Sequence, residues 1–72
     1  MQRFGEKIRR LRQRDSMTLQ QLSELLGYSD HTHLSRIESG RKKPSTELVI
    51  QLSRVFSVAT DDLLFDERDT AD

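Results

Sequence analysis

Residues 18–40 read TLQQLSELLGYSDHTHLSRIESG, and this stretch decides the fold. Thr18 and Gln21 form a capping-box pattern, in which the threonine oxygen accepts the Gln21 amide proton and the glutamine side chain returns to the Thr18 amide. A helix is therefore predicted over about 19–26. Gly27 follows it, and glycine at this place adopts the left-handed backbone that ends a helix.

A second helix is predicted in the other half of the stretch, over about 30–39. Ser29 or Asp30 can cap it, because either side chain can accept an amide proton that the first turn leaves unpaired. Gly40 ends it. The stretch thus predicts two short helices joined by a turn, the second with polar side chains directed outward.

The flanking sequence predicts three more helices. Apolar residues at i, i+4 and i+7 predict a first helix over about 3–14, Ser45 caps a fourth helix with a broad apolar stripe, and Thr60 caps a short fifth one. No segment shows the alternation of a strand. We therefore expect a compact all-α domain of five helices over 1–66, with 67–72 as a polar, disordered tail. The apolar residues at core spacing are Phe4, Ile8, Leu11, Leu22 with Leu25 or Leu26, Leu34, Ile37, Leu48, Val49, Leu52, Val55 and Phe56.

The composition limits the classes of function. The chain has 72 residues and no cysteine, so its stability must rest on one small apolar core. A domain of this size has little room for a deep enclosed active site, and no nucleophile motif is present, so enzymatic activity is not expected. No apolar run approaches the ~20 residues that span a bilayer, so we expect no membrane insertion and a cytoplasmic location.

The charges are distributed unevenly along the chain. The formal net charge is zero, but residues 1–44 carry ten Lys/Arg against five Asp/Glu, whereas 45–72 carry two against seven. A cationic face in the first part suits a polyanionic partner, and solvated helix faces without a partner are the alternative. In the first helix Glu6 and Lys7 are expected outside the apolar face.

A series of residues along the chain carries a family resemblance. The most specific part is SRIESGRKKP at 35–44, where core residues, an acidic residue, a glycine and a basic loop meet within ten positions. The full series is Phe4, Gly5, Ile8, Leu11, Arg12, Leu22, Ser23, Gly27, 34–40, Pro44, Ser45 and 62–64. It resembles the lambda-repressor/Cro-type helix-turn-helix domains, the XRE-like family, over residue 3 to about residue 65. The resemblance implies a lambda-repressor-like five-helix fold whose second and third helices form the helix-turn-helix, and a structural ion pair between Arg12 and Glu38.

The resemblance implies binding to double-stranded DNA through the third helix, and the positions of the polar side chains fit that role. The major groove admits a helix, whose first side chains reach base edges while basic side chains hold phosphates. The expected base contacts are His31, Thr32 and His33, with Ser29, Ser35 and Arg36 at the groove edge. The expected phosphate contacts are Arg41, Lys42 and Lys43 on one side and Thr18 and Gln20 on the other.

Three departures from the family pattern are visible in the sequence. The interval from Gly27 to Glu38 is one residue longer than usual, which leaves the register of residues 30–33 open by one position. Leu19 stands where the family often has a DNA-contacting glutamine. Ser23 replaces the usual alanine at the helix crossing.

His31 and His33 raise the question of a metal site. Residues two apart on a helix point roughly 200° apart, and no cysteine is near, so no metal and no other cofactor is expected. As DNA contacts, both histidines are expected to gain charge below neutral pH and to strengthen the hold on phosphate. Exposed turn residues without a role are the alternative.

The leading interpretation is a sequence-specific transcriptional regulator, with a repressor favoured over an activator. Such a domain reads few base pairs, so we expect a homodimer on a palindromic operator with half-sites about one turn, ~34 Å, apart. We expect the dimer surface to be formed by Val58, Leu64 and Phe65. The equal alternative is that these side chains only cover the core of the domain. The second interpretation is a protein-interaction module, such as an antitoxin or controller subunit, that binds a partner protein through the acidic C-terminal half.

Overall fold

Five helices follow one another in the computed structural model, which describes residues 3–65. They are α1 (Phe4–Arg14), α2 (Leu19–Leu25), α3 (Thr32–Glu38), α4 (Thr46–Phe56) and α5 (Thr60–Leu64). No strand occurs within this range. The expected all-α class and the number of helices are confirmed. The expectation of a disordered tail over 67–72 lies outside the described residues.

The core is built from apolar residues of all five helices. The sequence left open whether Leu25 or Leu26 joins Leu22 in it; Leu26 is buried, whereas Leu25 is 61% exposed. Val55 is only half-buried and packs at the edge of the core. The buried apolar residues are Phe4, Ile8, Leu11, Leu22, Leu26, Leu34, Ile37, Leu48, Val49, Leu52, Phe56 and Leu63.

Helices α1 to α4 are each followed by a residue with left-handed backbone. These residues are Ser16, Gly27, Gly40 and Ser57, with φ of 56°, 89°, 81° and 56°. After α3, the amide of Gly40 donates to Ile37 O at 3.1 Å and the amide of Arg41 donates to Arg36 O at 2.9 Å. This is the Schellman arrangement, which satisfies the last carbonyls of a helix and turns the chain sharply. It sends the basic loop back alongside α3.

The helix beginnings agree with the sequence at α2 and α4. The amide of Gln21 donates to Thr18 Oγ1 at 3.0 Å, and the amide of Thr18 donates to Gln21 Oε1 at 2.9 Å, which completes the capping box. Ser45 Oγ accepts the amide proton of Leu48 at 3.1 Å. Both caps are local patterns, so the sequence predicts them without knowledge of the packing.

The beginnings of α3 and α5 differ from the predictions. Helix α3 begins at Thr32 instead of residue 30, and its N-cap residue is His31. Asp30 Oδ1 accepts the Thr32 amide proton at 2.9 Å, so this carboxylate bonds to the first helical residue from outside the helix. Thr60 does not cap α5; it is the first helical residue, after Ala59.

Lys7 is 1% exposed, and this corrects the expectation that it lies outside the buried face. Its Nζ donates to the backbone oxygen of Asp62 at 2.8 Å and to that of Phe65. These are carbonyl groups that the end of a helix leaves without intrahelical partners. Lys7 therefore fastens the end of α5 to α1, and its aliphatic stem fills core volume.

Gly5 marks the closest approach between α1 and the end of α3. A Cβ atom placed on Gly5 would lie 2.4 Å from the backbone oxygens of both Ile37 and Glu38. The missing side chain is what lets the two helix backbones meet there. The position of α3 relative to α1 therefore depends on this glycine.

Ser23→Ala is expected to stabilise the domain by about 1 kcal/mol, because Ser23 Oγ is fully buried and has no hydrogen-bond partner among residues 3–65. Part of this gain is the higher helix propensity of alanine. Ser35→Ala, at an exposed position of α3, measures that part alone. Urea unfolding of both variants separates the two contributions. A Ser23→Ala variant less stable than the wild type would show that the hydroxyl makes a useful bond.

No helix between residues 3 and 65 combines the length and apolar character that crossing a membrane requires.

Candidate nucleic-acid interface

Helix α3 has one buried face and one polar face. Leu34 and Ile37 are buried, whereas Thr32, Ser35 and Arg36 are exposed. The exposed residues are small or charged, and none of them is a large apolar residue. Such a face can lie against a polar surface and exchange hydrogen bonds with it.

An ion pair holds the end of α3 against α1. Arg12 Nε donates to Glu38 Oε2 at 2.8 Å, and Arg12 Nη2 donates to Glu38 Oε1 at 3.1 Å. The two side chains are only 14% and 8% exposed. Arg12 Nη1 also donates to Met17 O at 3.0 Å, in the connection to α2. A two-pronged, nearly buried pair of this kind fixes the orientation as well as the distance between the elements that it joins.

The connection between α2 and α3 runs over residues 26–31. Because α3 begins at Thr32, His31 lies in the turn and His33 is the second residue of the helix. Asp30 faces the start of the helix, and the hydrogen bond from the Thr32 amide lowers the pKa of its carboxyl group. The carboxylate therefore stays charged beside α3.

His33 lies in a cluster with Tyr28 and Lys42. The rings of Tyr28 and His33 have centroids 4.7 Å apart and an interplanar angle of 41°. Lys42 Nζ lies 3.1 Å from His33 Nδ1. Desolvation, together with the positive charges of Lys42 and Arg36, lowers the pKa of His33. His33 is therefore harder to protonate than a free imidazole, which opposes the gain of charge expected from the sequence just below neutral pH.

The basic loop begins directly after α3. Arg41, Lys42 and Lys43 are all exposed. The backbone amides of Arg41 and Lys42 both donate to Arg36 O, at 2.9 and 3.3 Å, so the start of the loop is held to the helix. An open depression of about 350 Å³ lies between this loop and the start of α1. Its lining residues are Phe4, Gly5, Ile37, Gly40, Lys42, Lys43 and Pro44.

The polar side chains at the start of α2 make hydrogen bonds within the helix. Thr18 Oγ1 accepts the Gln21 amide proton, although its own hydroxyl proton can still be donated. Gln20 Nε2 already donates to Glu24 Oε2 at 3.1 Å. Leu19, which departs from the family pattern, packs against the core at half exposure.

A second depression, of about 240 Å³, adds Arg9 to the candidate interface, where the sequence did not predict it. It brings Arg9 of α1 together with Ser35 and Ser39 at the end of α3. The charge of Arg9 was visible in the sequence, but its proximity to α3 depends on the crossing of the helices. Its lining residues are Arg9, Arg12, Leu19, Ser35, Glu38 and Ser39.

The three residues named as a dimer surface differ in exposure. Val58 and Leu64 are half-buried and pack against the core, whereas Phe65 is 47% exposed. Within residues 3–65, no three His, Cys, Asp or Glu side chains lie close enough together to hold a metal ion.

The arrangement of α2, turn and α3 defines a helix-turn-helix protein. A family model described as a helix-turn-helix domain matches residues 3–64. The chain therefore belongs to the lambda-repressor/Cro-type helix-turn-helix family of DNA-binding domains, as its resemblance implies.

The chain is also similar to a much longer curated protein, the HTH-type transcriptional activator BcrR of Enterococcus faecalis. The two are 41% identical over 64 residues, which is 89% of this chain and 31% of the relative. The chain thus spans about a third of that protein's length. No solved structure matches the chain significantly.

Proposed function

We propose that this protein is a sequence-specific DNA-binding transcriptional regulator that places α3 in the major groove. The observation that carries the proposal is the polar outer face of α3, with the three cations of residues 41–43 directly beside it. A helix fits the major groove, and exposed cations next to it can neutralise the flanking phosphates. The similarity to a protein named as a transcriptional activator supports regulation as the output.

Within this proposal the polar side chains divide into two groups. Residues at the start of α3 and in the turn before it contact bases, and the cations contact phosphates, which sets affinity more than sequence preference. The proposed base and groove-edge contacts are Ser29, His31, Thr32, His33, Ser35 and Arg36. The proposed phosphate contacts are Arg41, Lys42 and Lys43, with Thr18 and Gln20 on the other side. No catalytic step is part of the proposal, and the place of action is the cytoplasm, with the DNA.

We propose repression as the direction of regulation. A domain that occupies a stretch of DNA excludes other proteins from it, and this alone represses a promoter that overlaps the site. The Enterococcus faecalis relative is named an activator, so activation is the alternative.

We further propose a homodimer that meets through the surface of Val58, Leu64 and Phe65. The exposure of Phe65 supports this surface, as does the exposure of Ile50, at 42%, on α4. An apolar depression of about 360 Å³ lies between α4 and α5, lined by Pro44, Thr46, Val49, Ile50, Thr60 and Leu64. A symmetric dimer on DNA calls for a palindromic operator with half-sites ~34 Å apart.

Lys43→Gln is expected to weaken binding to any duplex and to reduce the slope of log K against log salt by about 1, because one phosphate contact is lost. Arg54→Gln is the matched control. Arg54 is an exposed cation of α4 outside the proposed contact set, so the slope should stay unchanged. Fluorescence anisotropy with random duplex DNA over a series of salt concentrations measures both slopes.

The same titration distinguishes the two classes of function. If the wild type binds no duplex even at low salt, DNA binding is wrong, and a protein partner of the acidic C-terminal half becomes the better explanation. If it binds, selection of sites from a random duplex pool tests the dimer. A palindrome supports two copies, whereas a single short site contradicts them.

A further inference from the structure

His33 is held from two sides at the start of α3. The Tyr28 ring lies beside it at a tilt, with ring centroids 4.7 Å apart, and Lys42 Nζ lies 3.1 Å from Nδ1. One contact comes from the turn before the helix and the other from the loop after it. The ring is therefore fixed by elements on both ends of α3, and its orientation does not depend on α3 alone.

The contact with Lys42 also determines where the imidazole proton resides. A lysine ammonium group has three donors and no acceptor, so Nδ1 must accept the hydrogen bond. A neutral imidazole that accepts at Nδ1 carries its proton at Nε2. No residue between 3 and 65 makes a hydrogen bond to Nε2, so this N–H is available to a ligand.

The charges around His33 support the neutral form. Desolvation disfavours a positive charge on the ring, and the charges of Lys42 in the loop and of Arg36 in α3 act in the same direction. In its neutral form, with Nδ1 accepting from Lys42, His33 offers one hydrogen-bond donor, Nε2–H, and carries no net charge. A donor of this kind can select a base, whereas a cationic side chain would also be attracted to any phosphate.

We infer that Lys42 fixes His33 as the Nε2–H tautomer and thereby makes it read a hydrogen-bond acceptor on the major-groove edge of a base, above all guanine. This rests on the proposed function. Guanine offers N7 and O6, adenine offers N7 and thymine offers O4, whereas cytosine offers only the donor N4–H₂. Cytosine is therefore disfavoured at the position that His33 contacts. Lys42 is a positioning residue for this readout, in addition to its contact with phosphate.

The test is a substitution of Lys42 that should move the imidazole proton of His33 from Nε2 to Nδ1. In Lys42→Glu a carboxylate replaces the ammonium group and accepts a proton from Nδ1, which leaves Nε2 as an acceptor. Lys43→Glu is the matched control, because it makes the same change of charge at the neighbouring exposed residue without touching His33. Ring ¹⁵N chemical shifts in the free protein, in mildly alkaline buffer where the ring is neutral, report the tautomer. We expect Nε2–H in the wild type and in Lys43→Glu, and Nδ1–H in Lys42→Glu.

Selection of binding sites from a random duplex pool then measures how the change of tautomer alters the base preference. Both variants should bind more weakly than the wild type. Only Lys42→Glu should change its preference at one base pair, by about five- to tenfold in favour of cytosine, since a single hydrogen bond is exchanged.

Three results would overturn the inference. An Nδ1–H tautomer in the wild type removes its basis. An unchanged base preference in Lys42→Glu, with DNA binding retained, overturns the readout and leaves the proposed function standing. Absence of DNA binding by the wild type overturns both.

Discussion

Gly5→Ala is expected to destabilise the domain by about 3 kcal/mol, a large fraction of the total stability of so small a domain. The new Cβ would lie 2.4 Å from the backbone oxygens of Ile37 and Glu38. Backbone atoms at the end of a packed helix cannot turn aside as a flexible side chain can, so α1 and α3 must separate. The separation also disturbs the Arg12–Glu38 pair, which joins the same two helices. Urea unfolding followed by circular dichroism measures the loss.

Gly27→Ala is the informative comparison for Gly5→Ala. Gly27 has φ 89° with open space around its Cα, so a methyl group there meets only backbone strain, about 1–2 kcal/mol. Gly5 lies inside a helix, where alanine is intrinsically favoured by about 1 kcal/mol over glycine. Intrinsic propensity alone thus predicts that Gly5→Ala is the milder change, whereas the contact with α3 predicts that it is the more severe. A Gly5→Ala variant as stable as the wild type would mean that α1 does not approach α3 as described.

Glu38→Ala is expected to cost about 3–5 kcal/mol, since it leaves the guanidinium group of Arg12 nearly buried without its partner. For a domain of this size, 3 kcal/mol corresponds to a fall of roughly 12–24 °C in Tm. Arg12 Nη1 keeps its bond to Met17 O, so the arginine stays in place with its charge uncompensated. Differential scanning calorimetry measures the change.

A second ion pair provides the control for Glu38→Ala. Arg14 Nε lies 2.8 Å from Asp15 Oδ1, but these side chains are 39% and 32% exposed. Water screens an exposed pair, so Asp15→Asn should shift Tm far less than Glu38→Ala. Equal shifts in the two variants would show that burial of the Arg12–Glu38 pair adds nothing. A double-mutant cycle with Arg12→Ala isolates the coupling itself.

The features that the sequence predicted are those that neighbouring residues determine. The capping box of Thr18 and Gln21 and the glycine ends of α2 and α3 depend on residues within one turn of each other. The start of α3 was predicted two residues too early, because any of several consecutive polar residues there can cap a helix. Asp30 does bond to the first helical amide, but from one position further outside the helix than expected.

Features that depend on distant contacts were not predictable from the sequence. Lys7 bonds to carbonyls 55 and 58 residues further along the chain, and no local pattern marks a lysine on a helix as buried. The candidate interface likewise has one feature that the sequence predicts and one that it does not. The outward polarity of α3 follows from its periodicity, whereas the contact of His33 with Lys42 exists only because the Schellman turn after α3 returns the loop to the helix.

Because Lys7 is buried, the reactivity of its amine reports local opening of the domain. The chain has three lysines, and Lys42 and Lys43 are exposed whereas Lys7 is enclosed. An amine-reactive reagent should acylate the two loop lysines at once, but it can reach Lys7 only when α5 detaches from α1. The delay measures the free energy of this local opening as long as reclosure is faster than acylation. If two copies meet over α5, the same amine should react still more slowly as the protein concentration rises, so one reagent reports both local opening and self-association.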